Sequence, residues 1–490
     1  MIHGSLRVVR LATVAVVLIQ LSACTSMSGI NTNAQTQKAN TLNAGQSIGQ
    51  AGVIAWPKLN WWKAYRDPQL DALIDKTIAN SPTLRATQTR IARSQSYADS
   101  MHAETLPNIN ADTSIIRERF TSLQFIPPPW GGNIDWNNKA QLSLAYDLDL
   151  WGRQESLWRA SVNETQAAAA EAQQVKLELI TTIVRNYVQL AMDFRLHDLA
   201  VEHQAQLELR VTIARRSLAA GLSTELEVSE AETFLPLARI KIEAINAQIN
   251  LLRHQIAALA GQDPAAGERI TRPDITLDAP VGVPDQLPAN LLGRRPDLLA
   301  YRWHVEASRQ NIESAKAAFY PNINLLAFVG FQSIGFGQMI SNAGSIAGAG
   351  PAISLPIFDG GRRRSNLSAK TAAYDNAVEN YNGALIHALQ DVSDQLVVLQ
   401  SNAKQLTEAQ TAVNLASKSY TLAQTAYRAG LSNYLHVLDA RIQLIRQQET
   451  IAQMQSVRLE SYANLMRALG GGVIEDVTKT INQTKLELPR

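Results

Sequence analysis

The chain has 490 residues, of which 46% are hydrophobic, so it is long enough to bury a large core spread over two or three domains. Its 45 Lys and Arg residues nearly balance its 43 Asp and Glu residues, and a net charge of +2 argues against a nucleic-acid-binding protein with a clustered basic surface. The single cysteine, Cys24, excludes an intramolecular disulfide and a multi-cysteine metal site.

The first 23 residues have the pattern of a secretory signal. Two arginines precede an apolar stretch at 11–21, which is about half of the ~20 residues that a membrane-spanning helix needs. The stretch leads into the sequence Leu-Ser-Ala-Cys, which matches the bacterial lipobox and places the modified cysteine at Cys24. We expect a signal peptide over 1–23, diacylglycerol on the Cys24 thiol and, after cleavage, an acyl group on its new amino terminus. An ordinary signal peptide that contains a cysteine by chance is the alternative.

The segment after the lipobox is polar. Thr25 occupies the position where an Asp often retains lipoproteins of this kind at the inner membrane, so it favours export to the outer membrane. From there to about Ala55 the chain is rich in Ser, Thr, Asn, Gln and Gly and has little to bury. We expect 24–60 to act as a lipidated tether.

The rest of the chain contains two copies of one large unit. Five landmarks recur in the same order at offsets between 209 and 214, among them the sequence Pro-Asn-Ile-Asn at 107–110 and 321–324. A period of this length is far too long for a solenoid repeat. We expect a first repeat at 61–262, a linker at 263–293, a second repeat at 294–471 and a C-terminal tail at 472–490.

Each repeat contains one exceptionally long helical segment. Two runs of 68 residues, from Gly152 to Gly221 and from Gly361 to Gly430, contain a single glycine and no proline between those bounds. Within 374–427 apolar or small residues recur about every 3.5 residues, which predicts a left-handed coiled-coil contact. We expect long helices at 152–220 and 361–429, shorter helices at about 68–104, 225–260, 296–318 and 433–468, and a kink or break at Pro236.

Four segments alternate apolar and polar residues with a period of two, which is typical of strands with one buried face. They lie at about 107–122, 138–150, 321–333 and 346–358. The pattern also fits a transmembrane barrel with lipid outside and water inside. Four strands cannot close such a barrel, and lipid does not tolerate open edges, so three chains would have to share one barrel. The alternative is a soluble four-stranded sheet packed on helices.

Taken together, these motifs resemble the TolC-like outer membrane factors, in the lipoprotein branch called NodT-type. The resemblance covers about 60–470 and is carried by the lipobox and four motifs, at Asp147–Arg153, Arg295–Leu298, Pro356–Arg362 and Ala429–Leu435. It implies a tandem-duplicated fold that is mainly α with a transmembrane β part. In that fold a homotrimer forms a 12-stranded β-barrel and a 12-helix periplasmic α-barrel made of long coiled-coil helices.

The resemblance implies that the protein is the exit channel of a tripartite efflux pump, conducting drugs or other small molecules passively. It would lie in the Gram-negative outer membrane, contact outer membrane lipid and extend into the periplasm. Its partners would be a periplasmic adaptor protein and an inner-membrane pump of the RND or MFS type. We expect no nucleic acid among its partners.

The resemblance also implies a gate at the periplasmic end of the helices. Leu435 matches an apolar ring, Asp439 an acidic ring and Arg428 a basic latch. Tyr427 matches an aromatic latch that reaches the turn of the first repeat, where Glu227 occupies the acidic place.

The gate residues also have simpler interpretations. Arg428 and Asp439 could be solvated charges beside a turn, and Leu435 could be part of an ordinary core. Where some relatives carry a second acidic residue, this sequence has His436, which departs from a double acidic ring.

The sequence contains no phosphate-binding glycine loop, no GxSxG elbow, no HExxH motif and no paired cysteines. We therefore expect no enzyme, no catalytic residue, no metal site and no cofactor beyond the acyl groups on Cys24. Three other functions stay open: the duct of a type I protein secretion system, a pore-free structural lipoprotein that spans the periplasm, and metal-ion efflux. The lipid anchor favours small-molecule efflux among them.

Overall fold

A computed structural model of the chain describes residues 26–38, 56–123, 126–276 and 294–472. The expected signal peptide and Cys24 lie outside the described residues, as do much of the expected tether and all but the first residue of the expected tail. Within the described ranges, no helix combines the length and the hydrophobicity that crossing a membrane requires.

The described chain is mainly helical, with one four-stranded sheet. The helices are α1 (Pro68–Asn80), α2 (Pro82–Ala103), α3 (Arg153–Ala219), α4 (Glu225–Leu259), α5 (Pro264–Glu268), α6 (Pro296–Ala317), α7 (Arg362–Arg428) and α8 (Tyr434–Ala468). The two long helices α3 and α7 have 67 residues each, in agreement with the long glycine- and proline-poor runs. The expected mainly α fold with few strands is confirmed.

Pro236 does not break its helix, so of the expected kink or break the break is excluded, and the kink stays a prediction. A proline inside a helix removes one backbone hydrogen bond and crowds the carbonyl four residues earlier, at a cost of about 3 kcal/mol. Helix α4 nevertheless continues from Glu225 to Leu259. It buries Ala231 before the proline and Ala238 and Ile249 after it, so packing on both sides offsets the cost.

The sheet is a simple antiparallel meander in the order β1-β2-β3-β4. Its strands are β1 (Asn108–Arg119), β2 (Ile134–Asp147), β3 (Asn322–Ile334) and β4 (Ser345–Ser354). Strand β2 begins four residues earlier than the sequence pattern predicts, because Ile134 to Asn137 continue the ladder with β1.

The register gives the sheet two chemically different faces. Partners across a ladder share a face, and successive residues of a strand alternate between faces. One face is predominantly apolar and includes Ile109, Ile115, Leu142, Leu144, Leu325, Val329, Phe331, Ala347 and Ile353, with Arg117, Asn138 and Ser333 among its polar members. The other face of β1 and β2 is polar and includes Asn110, Asp112, Ser114, Lys139, Gln141 and Ser143.

The chain divides into two compact units. The strand unit comprises the described part of Met1–Thr36 together with Arg90–Ala168 and Tyr301–Tyr381, and the helix unit comprises the described remainder. The main core lies in the helix unit and includes Tyr65, Leu70, Ile74, Ile183, Tyr187, Ile256, Leu385, Val392 and Tyr462. A smaller cluster in the strand unit includes Ile312, Ala315, Phe319 and Leu367.

One buried acid in α3 should make stability depend on pH. Asp193 is 5% exposed, and its only described hydrogen bond comes from Gln189 Nε2 to Oδ1 at 3.0 Å. Its Oδ2 is buried without a hydrogen-bond partner among the described residues. Burial raises the pKa of Asp193 to about 6, although the Gln189 hydrogen bond works against this shift.

Because this pKa is raised in the folded state, the contribution of Asp193 to stability is present below about pH 4 and is lost as pH rises through about 6. We expect Asp193→Asn to raise the free energy of unfolding by roughly 2 to 3 kcal/mol at pH 8 and to change it little at pH 4. Denaturant unfolding followed by circular dichroism at both pH values measures this. Asp198→Asn, at a half-buried position of the same helix where the carboxylate pairs with Arg272 at 2.6 Å, is the control and should not raise the free energy of unfolding at pH 8. An equal effect of Asp193→Asn at both pH values would contradict the interpretation.

Candidate gate

The helix unit contains two interhelical turns of the same construction. Helix α3 ends at Ala219 and is followed closely by Gly221, whose φ of +69° lies in the left-handed region that glycine adopts without strain. The N–H groups of Gly221 and Leu222 donate to the carbonyls of Leu218 and Ser217, which is a Schellman motif. The same two bonds recur 209 residues later, where α7 ends at Gly430. Both long helices therefore end in a Schellman motif with a glycine in the left-handed conformation.

The helix after each turn begins with a side-chain cap. Thr224 Oγ1 accepts from the Glu227 N–H at 3.4 Å, and the Asn433 side chain accepts from the His436 N–H at 3.3 Å. Ser223 Oγ also donates to the Glu227 carboxylate at 2.5 Å. The Glu227 carboxylate therefore binds a serine of its own turn, Ser223. His436 takes part in the cap of α8 through its backbone N–H.

The residues expected to form latches lie around the second turn. The rings of Tyr427 and Tyr434 pack edge to face, with centroids 5.0 Å apart. Arg428 is the exposed last residue of α7, and no ion pair of Arg428 is found among the described residues. Leu435 is half-buried. Within one chain the structure brings neither Tyr427 to Glu227 nor Arg428 to Asp439, and their roles stay predictions about the assembled protein.

Asp439 instead pairs with a residue of the first repeat. Arg210 Nη1 donates to Asp439 Oδ1 at 2.8 Å, joining the start of α8 to α3. The two side chains are 36% and 54% exposed, so water screens the pair, and it is worth at most about 1 kcal/mol. Sequence reasoning missed Arg210 because it lies 229 residues from its partner and in no recognised motif.

A second ion pair joins the same two helices with the charges reversed. Arg441 of α8 donates to the Glu202 carboxylate of α3. The Arg441 guanidinium also lies 5.2 Å from the ring centroid of Tyr420 on α7, in a cation–π contact. The start of α8 is therefore held to α3 by two ion pairs and to α7 by two aromatic contacts, Arg441 on Tyr420 and Tyr434 on Tyr427.

The ion pairs between α8 and α3 are exposed or half-exposed and therefore weak individually. A buried apolar cluster that contains Leu207 of α3 and Ile442 of α8 adds to the contact between these helices. The site has no metal-binding character: among the described residues, no three His, Cys, Asp or Glu side chains cluster closely enough to hold a metal ion.

Comparison with known proteins places this chain in a family. Residues 73–262 and 287–471 match the outer membrane efflux protein family, one match for each repeat. The chain is 43% identical to the fusaric acid resistance protein FusA of Burkholderia cepacia, over 74% of this chain and 69% of FusA. It is 31% identical to the multidrug resistance outer membrane protein MdtP of Escherichia coli K12, over 85% of this chain and 87% of MdtP.

The fold is also that of a solved outer membrane protein. The crystal structure of VceC from Vibrio cholerae superposes with a TM-score of 0.78 and 30% sequence identity, covering 85% of this chain and all of VceC. These matches confirm the resemblance seen in the sequence motifs. The chain belongs to the outer membrane efflux protein family, the TolC-like outer membrane factors, and is an efflux channel protein of the Gram-negative outer membrane.

Proposed function

We propose that this chain forms, as a homotrimer, the gated exit duct of a tripartite pump that expels drugs or other small molecules. An adaptor protein and an inner-membrane pump of the RND or MFS type would complete the assembly. The observation that carries the proposal is the family match over both repeats, on a chain whose sheet has one predominantly apolar face. The names of FusA and MdtP support small-molecule export over protein secretion.

The sheet supports closure by several chains. Strands β1 and β4 each pair on one side only, and they run in opposite directions. Strand β4 of one chain can therefore pair antiparallel with β1 of the next. Lipid requires a closed ring of strands, and three chains of four strands would give 12.

The helix unit also has uncovered apolar surface that suits neighbouring chains. Along α7 the coiled-coil seam is buried at Leu385, Val392 and Leu396 but only half-buried from Leu406 to Ala423. Helix α4 packs one face on α3 and α8 through Ala238. A second stripe on α4 stays exposed, formed by Leu226, Phe234, Leu237, Ile240 and Leu251, which we call the α4 stripe. Helices α3 and α8 already contact each other within the chain, whereas the seam of α7 is only half-buried from Leu406 to Ala423. We therefore assign the α4 stripe to a contact with α7 of the next chain.

The lipid anchor is a further part of the proposal. The lipobox at Cys24 supports it, and three acyl chains on one residue would attach the protein durably, since two already suffice. Intact-mass spectrometry of protein from the outer membrane tests this modification. We expect a chain that begins at Cys24 with the added mass of the lipid, and a Cys24→Ala variant without it.

Breaking the ion pairs at the start of α8 should open the channel. We expect Arg210→Ala and Asp439→Ala each to raise the single-channel conductance in planar bilayers severalfold, because either change removes one of the two ion pairs that hold the start of α8 to α3. Arg215→Ala is the matched control, since it removes an exposed ion pair of α3 with Glu232 of α4 and leaves α8 untouched. Unchanged conductance in both gate variants, or an equal rise in the control, would refute the role of this pair.

Export itself is tested in cells that lack their own efflux channels. We expect the protein to raise resistance to fusaric acid or to common antibiotics severalfold, but only when a compatible adaptor and pump are present. Export of a protein substrate without any effect on small molecules would favour the type I secretion duct instead.

A further inference from the structure

The sheet carries apolar side chains on its second face as well, the face that is polar on β1 and β2. By the register, the part of this face on β3 and β4 includes six residues that we call the inner strip: Leu326, Phe328, Ile346, Gly348, Gly350 and Ala352. Leu326 and Phe328 are 46% and 42% exposed, so the described part of the chain leaves them open. In the proposed barrel this face lines the duct, where side chains are usually polar. An exposed apolar patch in such a place indicates a binding surface.

Two glycines shape the inner strip around a single aromatic ring. Gly348 lies across the ladder from Phe328, and a Cβ there would come within 2.7 Å of Phe328 Cε1, so only glycine lets the ring lie against β4. Gly350 lies across from Leu326, and a Cβ there would meet no atom within 4 Å. The strip therefore offers an exposed ring beside open space, which suits an offset-stacked or edge-to-face contact with a second ring.

The two faces of the sheet also differ in charge. On its strands the second face carries four acids and one cation, namely Asp112, Glu118, Asp135, Asp147 and Lys139. The predominantly apolar face carries Arg117 and Arg119 on its strands and no acid. In the proposed trimer three acidic faces would surround one duct, and such a concave surface of one sign attracts cations.

One of these acids lies close to the inner strip. Ser143 of β2 pairs with Phe328, and its Oγ donates to Asp112 Oδ2 at 3.0 Å. Asp112 is exposed, and no ion pair of its carboxylate is found among the described residues. Strands β1 and β3 are two strand spacings apart, so the carboxylate and the ring are separated by about 10 Å. A small organic molecule with a ring at one end and an amine at the other can span this distance.

We infer that the inner strip and Asp112 form a binding site for organic cations that carry an aromatic ring. The ring of the ligand packs on Phe328 above Gly350, and its ammonium group lies beside the Asp112 carboxylate. One ring contact and one solvated charge contact are each weak, so the ligand binds and leaves again, as passage through a duct requires. The inference rests on the proposed channel and names the class of molecule that its wall favours.

Saturation-transfer difference NMR of the full-length protein in phosphatidylcholine nanodiscs measures such weak binding. The probes are benzyltrimethylammonium, tetramethylammonium, which lacks the ring, and benzenesulfonate, which reverses the charge. Empty nanodiscs supply the background. We expect the dissociation constant of benzyltrimethylammonium to be severalfold lower than that of either other probe. Equal binding of all three probes, or no transfer above that of empty nanodiscs, would overturn the inference.

Two substitutions separate the ring contact from the charge contact. Phe328→Ala should weaken the binding of benzyltrimethylammonium about two- to tenfold, the range of one aromatic pair, and should affect tetramethylammonium less. Phe328→Tyr keeps the ring and should keep the binding. Asp112→Asn should weaken the binding of both cations severalfold and leave benzenesulfonate no weaker.

The chain offers a matched control for each substitution. Phe336→Ala removes a 55% exposed ring that packs against Trp136 beyond the end of β3, outside the inner strip. Asp99→Asn removes an exposed carboxylate of α2, outside the sheet. Controls that weaken binding as much as Phe328→Ala and Asp112→Asn, or variants that bind like the wild type, would refute the site. Conductance in planar bilayers separates the proposals: current without probe binding refutes only this site, whereas a folded trimer without current refutes the channel.

Discussion

Replacing Arg295 by methionine should lower the free energy of unfolding by about 3 to 5 kcal/mol. Arg295 is 5% exposed and directly precedes α6. Its guanidinium donates to both carboxylate oxygens of Asp297, at 3.0 and 2.6 Å, and to Asp391 of α7 at 3.1 Å. It also reaches the Ala468 carbonyl at the end of α8 at 3.4 Å. Methionine would fill similar space but leave the Asp297 carboxylate without its cation and the Asp391 carboxylate with only the longer pair to Arg467, at 3.8 Å.

Denaturant unfolding of the detergent-solubilised protein measures this effect. Arg309→Met is the control, because Arg309 forms an exposed pair with Glu306 on the same helix and its loss should cost under about 1 kcal/mol. We also expect Asp391→Leu to restore part of the stability of Arg295→Met, since it removes one of the stranded charges. A loss no larger than that of the control would show that Arg295 does not hold these helices together.

Replacing Ile240 by aspartate should convert the trimer into monomers. Ile240 lies in the middle of the α4 stripe and is 64% exposed in the single chain, so the chain itself should still fold. In the proposed trimer the new carboxylate would be buried without a partner, at roughly 3 to 5 kcal/mol for each of the three interfaces. Light scattering of the detergent-purified protein gives its molar mass directly.

The neighbouring residue supplies a matched control for this experiment. Arg239 is exposed on α4 but points about 100° away from Ile240, outside the α4 stripe. Arg239→Asp introduces the same side chain one position away and should leave the trimer intact. Trimers in both variants, or monomers in both, would show that the α4 stripe is not the interface.

Patterns local in sequence predicted most of the fold. The long helices were visible because Gly221 and Gly430 end runs without helix breakers, and the turns there obey the same capping rules in both repeats. The strands were visible because alternation with a period of two needs only a few residues to recognise. The sequence did not show that the helix continues through Pro236, because the contacts that offset its cost come from other helices, which a local pattern does not contain.

The side-chain partners were much less predictable than the elements. The motif Arg295–Leu298 was recognised by resemblance alone, and only the structure shows that Arg295 joins three helices. Asp439 was singled out, but its partner Arg210 was not, because ion pairs between distant segments leave no periodic trace in the sequence. The roles assigned to Arg428, Tyr427, Leu435 and Glu227 stay predictions that concern contacts between chains.

The most direct test of the central claim is the single-channel conductance of the purified, lipidated protein in a planar bilayer. A gated efflux duct should give small, uniform, cation-selective current steps, because three Asp439 carboxylates near one axis would attract cations. The steps should grow when Arg210 or Asp439 is replaced by alanine. A folded, membrane-inserted trimer that carries no current, in the wild type and in both variants, would contradict the channel and favour a pore-free structural lipoprotein.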